Sequence, residues 1–212
     1  MFTGTSLSPV GVTYLIDKDT NSISSLACPY KVFGAKVISA VANGSVYTFV
    51  VGGLCPSACS SIAVFNHSSR SFLNYNLSLP SAVNTPGVAV VNRSLLVIGG
   101  PTNTIFVWDL STFRISTSFF MKFSRKEPKA ATLGRYVYIG GSLETDLVEV
   151  VDVLTRTTFF IGRLTTGFPV HLGYMGSILQ NRVFHIGGRS SNTSYLVHTD
   201  VIDSFSCGNM VL

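Results

Sequence analysis

Residues 95–100 read LLVIGG, a short apolar run closed by two glycines, and the chain returns to this arrangement three more times. VYTFVVGG occupies 46–53, YVYIGG 136–141 and VFHIGG 183–188. A unit that recurs at such spacing is one supersecondary piece that cannot bury its apolar face alone and stacks on its neighbours. Runs that are apolar at successive positions, without strict alternation, suit strands covered on both faces. The terminal glycines suit a crowded approach of backbone to backbone, or a positive φ.

Working outward, AKVISAVA (35–42) precedes the first of these strands across an Asn43-Gly44 turn, and IAVFN (62–66) and SFLNYNL (71–77) follow it. Asn-Gly is a strong hairpin signal. The same four-part order returns as PGVAVV, SLLVIGG, IFVWD and RISTSFF, then as KAATL, YVYIGG, LVEVVD and TTFFIG. The units are roughly 41 to 51 residues long. A half unit covers 10–26, blade-like units cover about 35–79, 86–120 and 129–162, and a blurred unit covers 172–203.

A second landmark runs in phase with the first. Asp17-x-x-Thr20, Asn66-x-x-Ser69, Asp109-x-x-Thr112 and Asp152-x-x-Thr155 each end a third strand, where a side-chain oxygen can hold a turn through backbone N–H groups. An apolar residue follows three positions later at Ile23, Phe72 and Ile115. Over about residues 10–203 these features resemble kelch repeats, a β-propeller family. The sequence departs from that family at the usual fourth-strand Trp, where Phe72, Ile115 and the pair Thr158-Phe159 stand. The expected architecture is all-β: one domain over 1–212, a β-propeller of four-stranded antiparallel kelch-like blades with four to four and a half repeats. Either N-terminal strands complete the unit that begins at Leu172 and close a four-bladed ring, or the chain is an open portion of a six-bladed propeller. The open portion is preferred.

Composition narrows the function. Charged residues make up 12% of the 212 residues, about half the usual ~25%. The formal charge is +5, but the cations are dispersed, and the one local group, Lys122, Arg125, Lys126 and Lys129, reads as a solvated inter-strand loop. Neither nucleic-acid binding nor a membrane span is expected. The N-terminal residues lack the basic and apolar regions of a signal peptide. Cys55 and Cys59 read as loop thiols or a local disulfide, since no further zinc ligands stand at finger-like spacing. Sequons at Asn43, Asn66, Asn76, Asn92 and Asn192 leave secretion open, and the compartment is unassigned.

No catalytic, cofactor-binding or metal-binding residue is assigned. The ten Asp and Glu are partly consumed by the repeat turns, and no phosphate loop, nucleophile elbow or metal-ligand spacing occurs. The kelch resemblance implies a non-catalytic scaffold that binds a partner protein through the loops after the second strands and those entering the next blade. In these loops Arg125, Lys126, Lys129 and Arg189 would meet acidic groups, and Glu144 with Asp146 basic ones. Two alternatives stand beside it. One is a kelch-fold enzyme acting on a sugar, of epimerase or oxidase type, for which Arg182, His185, Arg189 and Tyr138 would have to converge. The other is an extracellular adhesion or glycan-binding module.

Overall fold

The computed structural model describes residues 2–3, 10–17, 20–32, 34–55, 57–73, 77–100, 102–142, 145–163, 174–178, 182–186 and 199–203. Among them every regular element is a β-strand, every pairing is antiparallel, and no helix is long and apolar enough to cross a membrane.

The first sheet joins β1 (Phe2–Thr3), β2 (Val10–Asp17) and β3 (Ser22–Val32). The second contains β4 (Lys36–Ala42), β5 (Ser45–Val51) and β6 (Cys59–Asn66), with a fourth position shared by β7 (Ser71–Phe72) and β8 (Leu77–Val83). The third runs β9 (Gly87–Val91), β10 (Ser94–Ile98), β11 (Thr104–Asp109) and β12 (Arg114–Phe120). The fourth runs β13 (Lys129–Leu133), β14 (Tyr136–Gly140), β15 (Leu147–Asp152) and β16 (Thr157–Arg163). The fifth joins β17 (Tyr174–Ile178), β18 (Arg182–Ile186) and β19 (Thr199–Asp203).

One expectation changes, and the less favoured of the two arrangements loses its premise. SFLNYNL is not one strand: β7 and β8 both pair with β6, and β8 carries the sheet on to Val83. Leu79 and Val83 supply the buried contacts that draw this segment in, while Pro80 is tolerated because the strand lies at the sheet's edge. N-terminal strands also do not supply the third strand of the last unit. Residues 199–203 take that place, with His185 opposite Asp200, while β2 and β3 pair with each other.

The sheets stack face to face. Phe49, Val51, Ile62 and Val64 of the second sheet meet Leu95, Val97, Phe106 and Trp108 of the third. On its other face the third sheet sets Leu96, Ile98 and Val107 against Val137, Ile139 and Val151 of the fourth. The strand β10 is consequently buried on both sides, as its unbroken apolar run requires. Each such side chain contributes about 1.5–3 kcal/mol by leaving water. The first strands form a row of their own, β4 touching β9, β9 touching β13, and β13 touching β17.

Both repeated landmarks have structural causes. Gly52 and Gly100 adopt φ of 62° and 80°. A Cβ on either would stand 2.7 Å from a backbone oxygen, of Val83 and Asn84 respectively. The crossing chain is also bonded there: Gly53 N–H donates to Val83 O at 3.1 Å, Gly100 N–H to Arg125 O at 3.0 Å, and Asn84 N–H to Gly100 O at 2.9 Å. At the opposite end, Asp109 Oδ1 accepts from the N–H groups of Ser111 (2.6 Å) and Thr112 (3.0 Å). Asn66 and Asp152 repeat this geometry. Asn21, Arg70, Phe113 and Arg156, each four positions after the landmark residue, all have φ between 51° and 58°.

Candidate functional site

At the glycine end of the second and third sheets, the loop leaving the second strand lies beside the segment crossing to the next sheet. Three crossings align residue by residue. Gly34, Thr85 and Glu127 have φ of 71°, 47° and 54°, and two residues later each first strand begins, at Lys36, Gly87 and Lys129. Pairing with Val51, Ile98 and Gly140 fixes these three heads at the glycine end. Where the alignment breaks, chemistry enters.

The first break is at Lys36 and Lys129, which flank the bare Gly87 along the row of first strands. Both are half-buried. Lys129 Nζ donates to the Glu127 carbonyl at 3.1 Å. Burial lowers the Lys129 pKa to about 8, with the Lys36 charge lowering it further and the Glu127 carboxylate opposing. Lys36 is lowered by burial as well, again opposed by Glu127. Two ammonium groups and one carboxylate thus share a single poorly solvated field.

The second break is Arg125. It sits four residues ahead of Lys129, where the other crossings carry the buried Val32 and Val83, and it too is fully buried. Its Nε lies 3.4 Å from Glu149 Oε2, while Glu149 Oε1 accepts from Lys122 N–H at 2.8 Å. Glu149 itself occupies a register held by Ala63 and Phe106 in the sister strands, three residues before the capping Asn66 and Asp109. Burial pulls the Arg125 pKa below its ordinary value against the opposing pull of Glu149. Nη1 and Nη2 have no hydrogen-bond partner among the described residues. The expected solvated loop cation is therefore an interior one, and its backbone is bonded by Gly100 N–H and Thr102 O.

The remaining candidates scatter. Lys126 is exposed, and its N–H donates to Ser142 Oγ at 3.2 Å across the two loops. Asp146 is mostly buried and receives Arg163 Nη1 at 2.9 Å. Glu144 and Arg189 lie outside the described residues. Tyr138 is buried with Ala131 and Val150 inside the fourth sheet's packing. Arg182 and His185 lie on β18, and the loop between Cys55 and Cys59 is closed by a disulfide with the Cα atoms 5.9 Å apart. Among the described residues no group of three His, Cys, Asp or Glu could hold a metal ion. An apolar groove of about 530 Å³ lies elsewhere, lined by Tyr136, Phe159 and Phe160 beside the Arg135–Asp152 ion pair (2.9 Å).

Lys36 and Glu149 were missed in the sequence, although a signal for each was present. Superposing the three crossings sets Lys36 against Lys129, and superposing the third strands exposes a lone carboxylate in an apolar register.

No family model matches the chain, and no curated protein sequence matches it. It is similar in structure to a solved chain described as "Structure of YjhT", with a TM-score of 0.67 and 15% identity, over 79% of this chain and 63% of that one. At that identity the likeness concerns the fold alone, and this chain spans less than two thirds of the other's length.

Proposed function

We propose that the chain is a kelch-like β-propeller portion whose glycine-end loops form a docking face for a partner protein. The observation that carries this reading is that the glycine end repeats its backbone corners while the side chains of the crossings there differ from unit to unit. Lys36 and Lys129 head first strands where the crossing between them ends in Gly87, and Lys126 stands exposed three residues before Lys129. The row of first strands and the sheet-on-sheet packing support a propeller arrangement. A rigid stack presenting dissimilar loops is the usual means by which such scaffolds confer specificity.

The reading is tested by affinity capture with Lys126→Glu against Arg93→Glu, the latter an exposed residue in the turn at the opposite end. Loss of the captured protein with Lys126→Glu alone supports the assigned face. Loss with Arg93→Glu alone, or with neither, overturns it.

A further inference from the structure

We infer that the turn end of the second and third sheets, opposite the glycine corners, is a glycan-bearing surface, with Asn43, Asn66 and Asn92 as the N-glycosylation acceptors. The inference is independent of the docking face proposed above.

Asn43-Gly44-Ser45, Asn66-His67-Ser68 and Asn92-Arg93-Ser94 have the Asn-x-Ser form that oligosaccharyl transfer requires. The strand register sets all three at one end. Ala42 pairs with Ser45 and Val91 with Ser94, so Asn43 and Asn92 occupy hairpin turns, while Asn66, opposite Tyr47, closes β6 at the same end. Asn43 and Asn92 are exposed, with φ of 48° and 52°, and the half-buried Asn66 leads into the exposed His67 and Ser68. A bulky glycan needs such surface positions.

The hydrogen bonding at this end is compatible with the modification. Asn66 Oδ1 accepts from the N–H groups of Ser68 (2.8 Å) and Ser69 (3.4 Å), so the carbonyl caps the turn and the amide nitrogen is not used for it. Asp109 and Asp152 cap the sister turns in the same way without an amide to modify. Asn43 Nδ2 donates one hydrogen to Ser111 O at 3.1 Å and keeps a second. In the transfer, the C1–O bond of a lipid-linked oligosaccharyl pyrophosphate breaks, its electron pair leaving with the pyrophosphate, and a C1–N bond forms to Nδ2, which gives up one proton. Each acceptor retains one N–H and its carbonyl, so both turn contacts survive.

Asparagines at the glycine end of the same two sheets are employed differently. Asn84 and Asn103 begin no sequon. Asn84 Oδ1 is buried, and Asn103 Nδ2 donates to Met121 O at 3.2 Å. The Cys55–Cys59 disulfide points separately to an oxidising compartment, the setting that a secreted, glycosylated chain passes through.

The test is release of N-glycans from the intact chain, purified from its own cells, by peptide-N-glycosidase in water labelled with heavy oxygen. Each released glycan leaves a labelled Asp in place of Asn, read peptide by peptide by mass spectrometry. Label at two or three of Asn43, Asn66 and Asn92 supports the surface. Label at one or none of them, or at Asn76 and Asn192 alone, overturns it. Ser45→Ala, Ser68→Ala and Ser94→Ala each keep the asparagine and its turn while removing the required hydroxyl, and each should abolish label at its own asparagine and remove one step of gel mobility. Label that persists in these variants is spontaneous deamidation and overturns the acceptor concerned.

Discussion

Arg125 and Glu149 meet inside the protein, Nε to Oε2 at 3.4 Å with both side chains fully buried, at two positions that neighbouring units fill with apolar residues. Val32 and Val83 are the counterparts of the first, and Ala63 and Phe106 of the second. A buried pair with two guanidinium nitrogens unsatisfied among the described residues is weak evidence for stability, since apolar replacements of similar volume are often neutral or stabilising.

Arg125→Ala should destabilise the chain by about 3–5 kcal/mol, because it strands the Glu149 carboxylate in the interior. The double variant Arg125→Val with Glu149→Phe, which restores the residues of the neighbouring units, should lose less than Arg125→Ala. Urea unfolding of the three chains decides it, and a double variant as unstable as the alanine single would refute this account of the pair.

Lys129 makes stability depend on pH on the alkaline side. Its folded pKa of about 8 lies below that of an unfolded lysine, about 10.4. The unfolded chain therefore binds more protons between those values, and stability should rise with pH across that window. Lys129→Gln removes the penalty. It should stabilise the chain at pH 7 by on the order of 1 kcal/mol, once solvent screening of a half-exposed group is allowed for. Thermal melts of the two chains should converge as pH approaches 10.

Glycine at position 100 is required twice over, by its φ of 80° and by the Asn84 oxygen 2.7 Å from any added Cβ. Gly100→Ala should lower stability by at least about 1–3 kcal/mol. Gly134→Ala, at φ of 60° but with open space around it, should cost only about 1 kcal/mol. Equal losses in denaturant titrations would show that backbone conformation alone dictates the glycine pairs.

Backbone hydrogen bonds from Thr112 and Ser111 hold the Asp109 carboxyl below its ordinary pKa. Its contribution is therefore present above the unfolded carboxyl range and is lost as pH falls through the lower folded value. Asp109→Asn keeps the acceptor while discarding the charge. It should melt close to the parent at pH 7 and show a smaller fall on acidification, whereas Asp109→Ala should melt several degrees lower at both.

The periodic signals were legible because they are made by single residues whose local geometry is fixed wherever they occur. A glycine beneath a crossing chain marks the second and third sheets, and an Asp or Asn capping a turn marks the second, third and fourth. Arg125 was not legible by itself. Set among Phe123, Lys126 and Glu127, it has the composition of a solvated loop, and only its alignment with Val32 and Val83 reveals an interior position. The division of the second sheet's outer strand was hidden for a related reason. Leu77, Leu79 and Val83 follow Leu73 without a punctuating glycine, and β6 decides where pairing stops and resumes.

Gly100 is bonded through its N–H to the crossing that leaves its own sheet and through its carbonyl to the crossing that enters it. The Gly100 corner is thereby stitched to the module before and the module after. Excising part of a repeat would sever stitches on both sides, whereas duplicating or removing a whole one would let the seams re-form. Length variation in such a chain is accordingly quantised in complete modules.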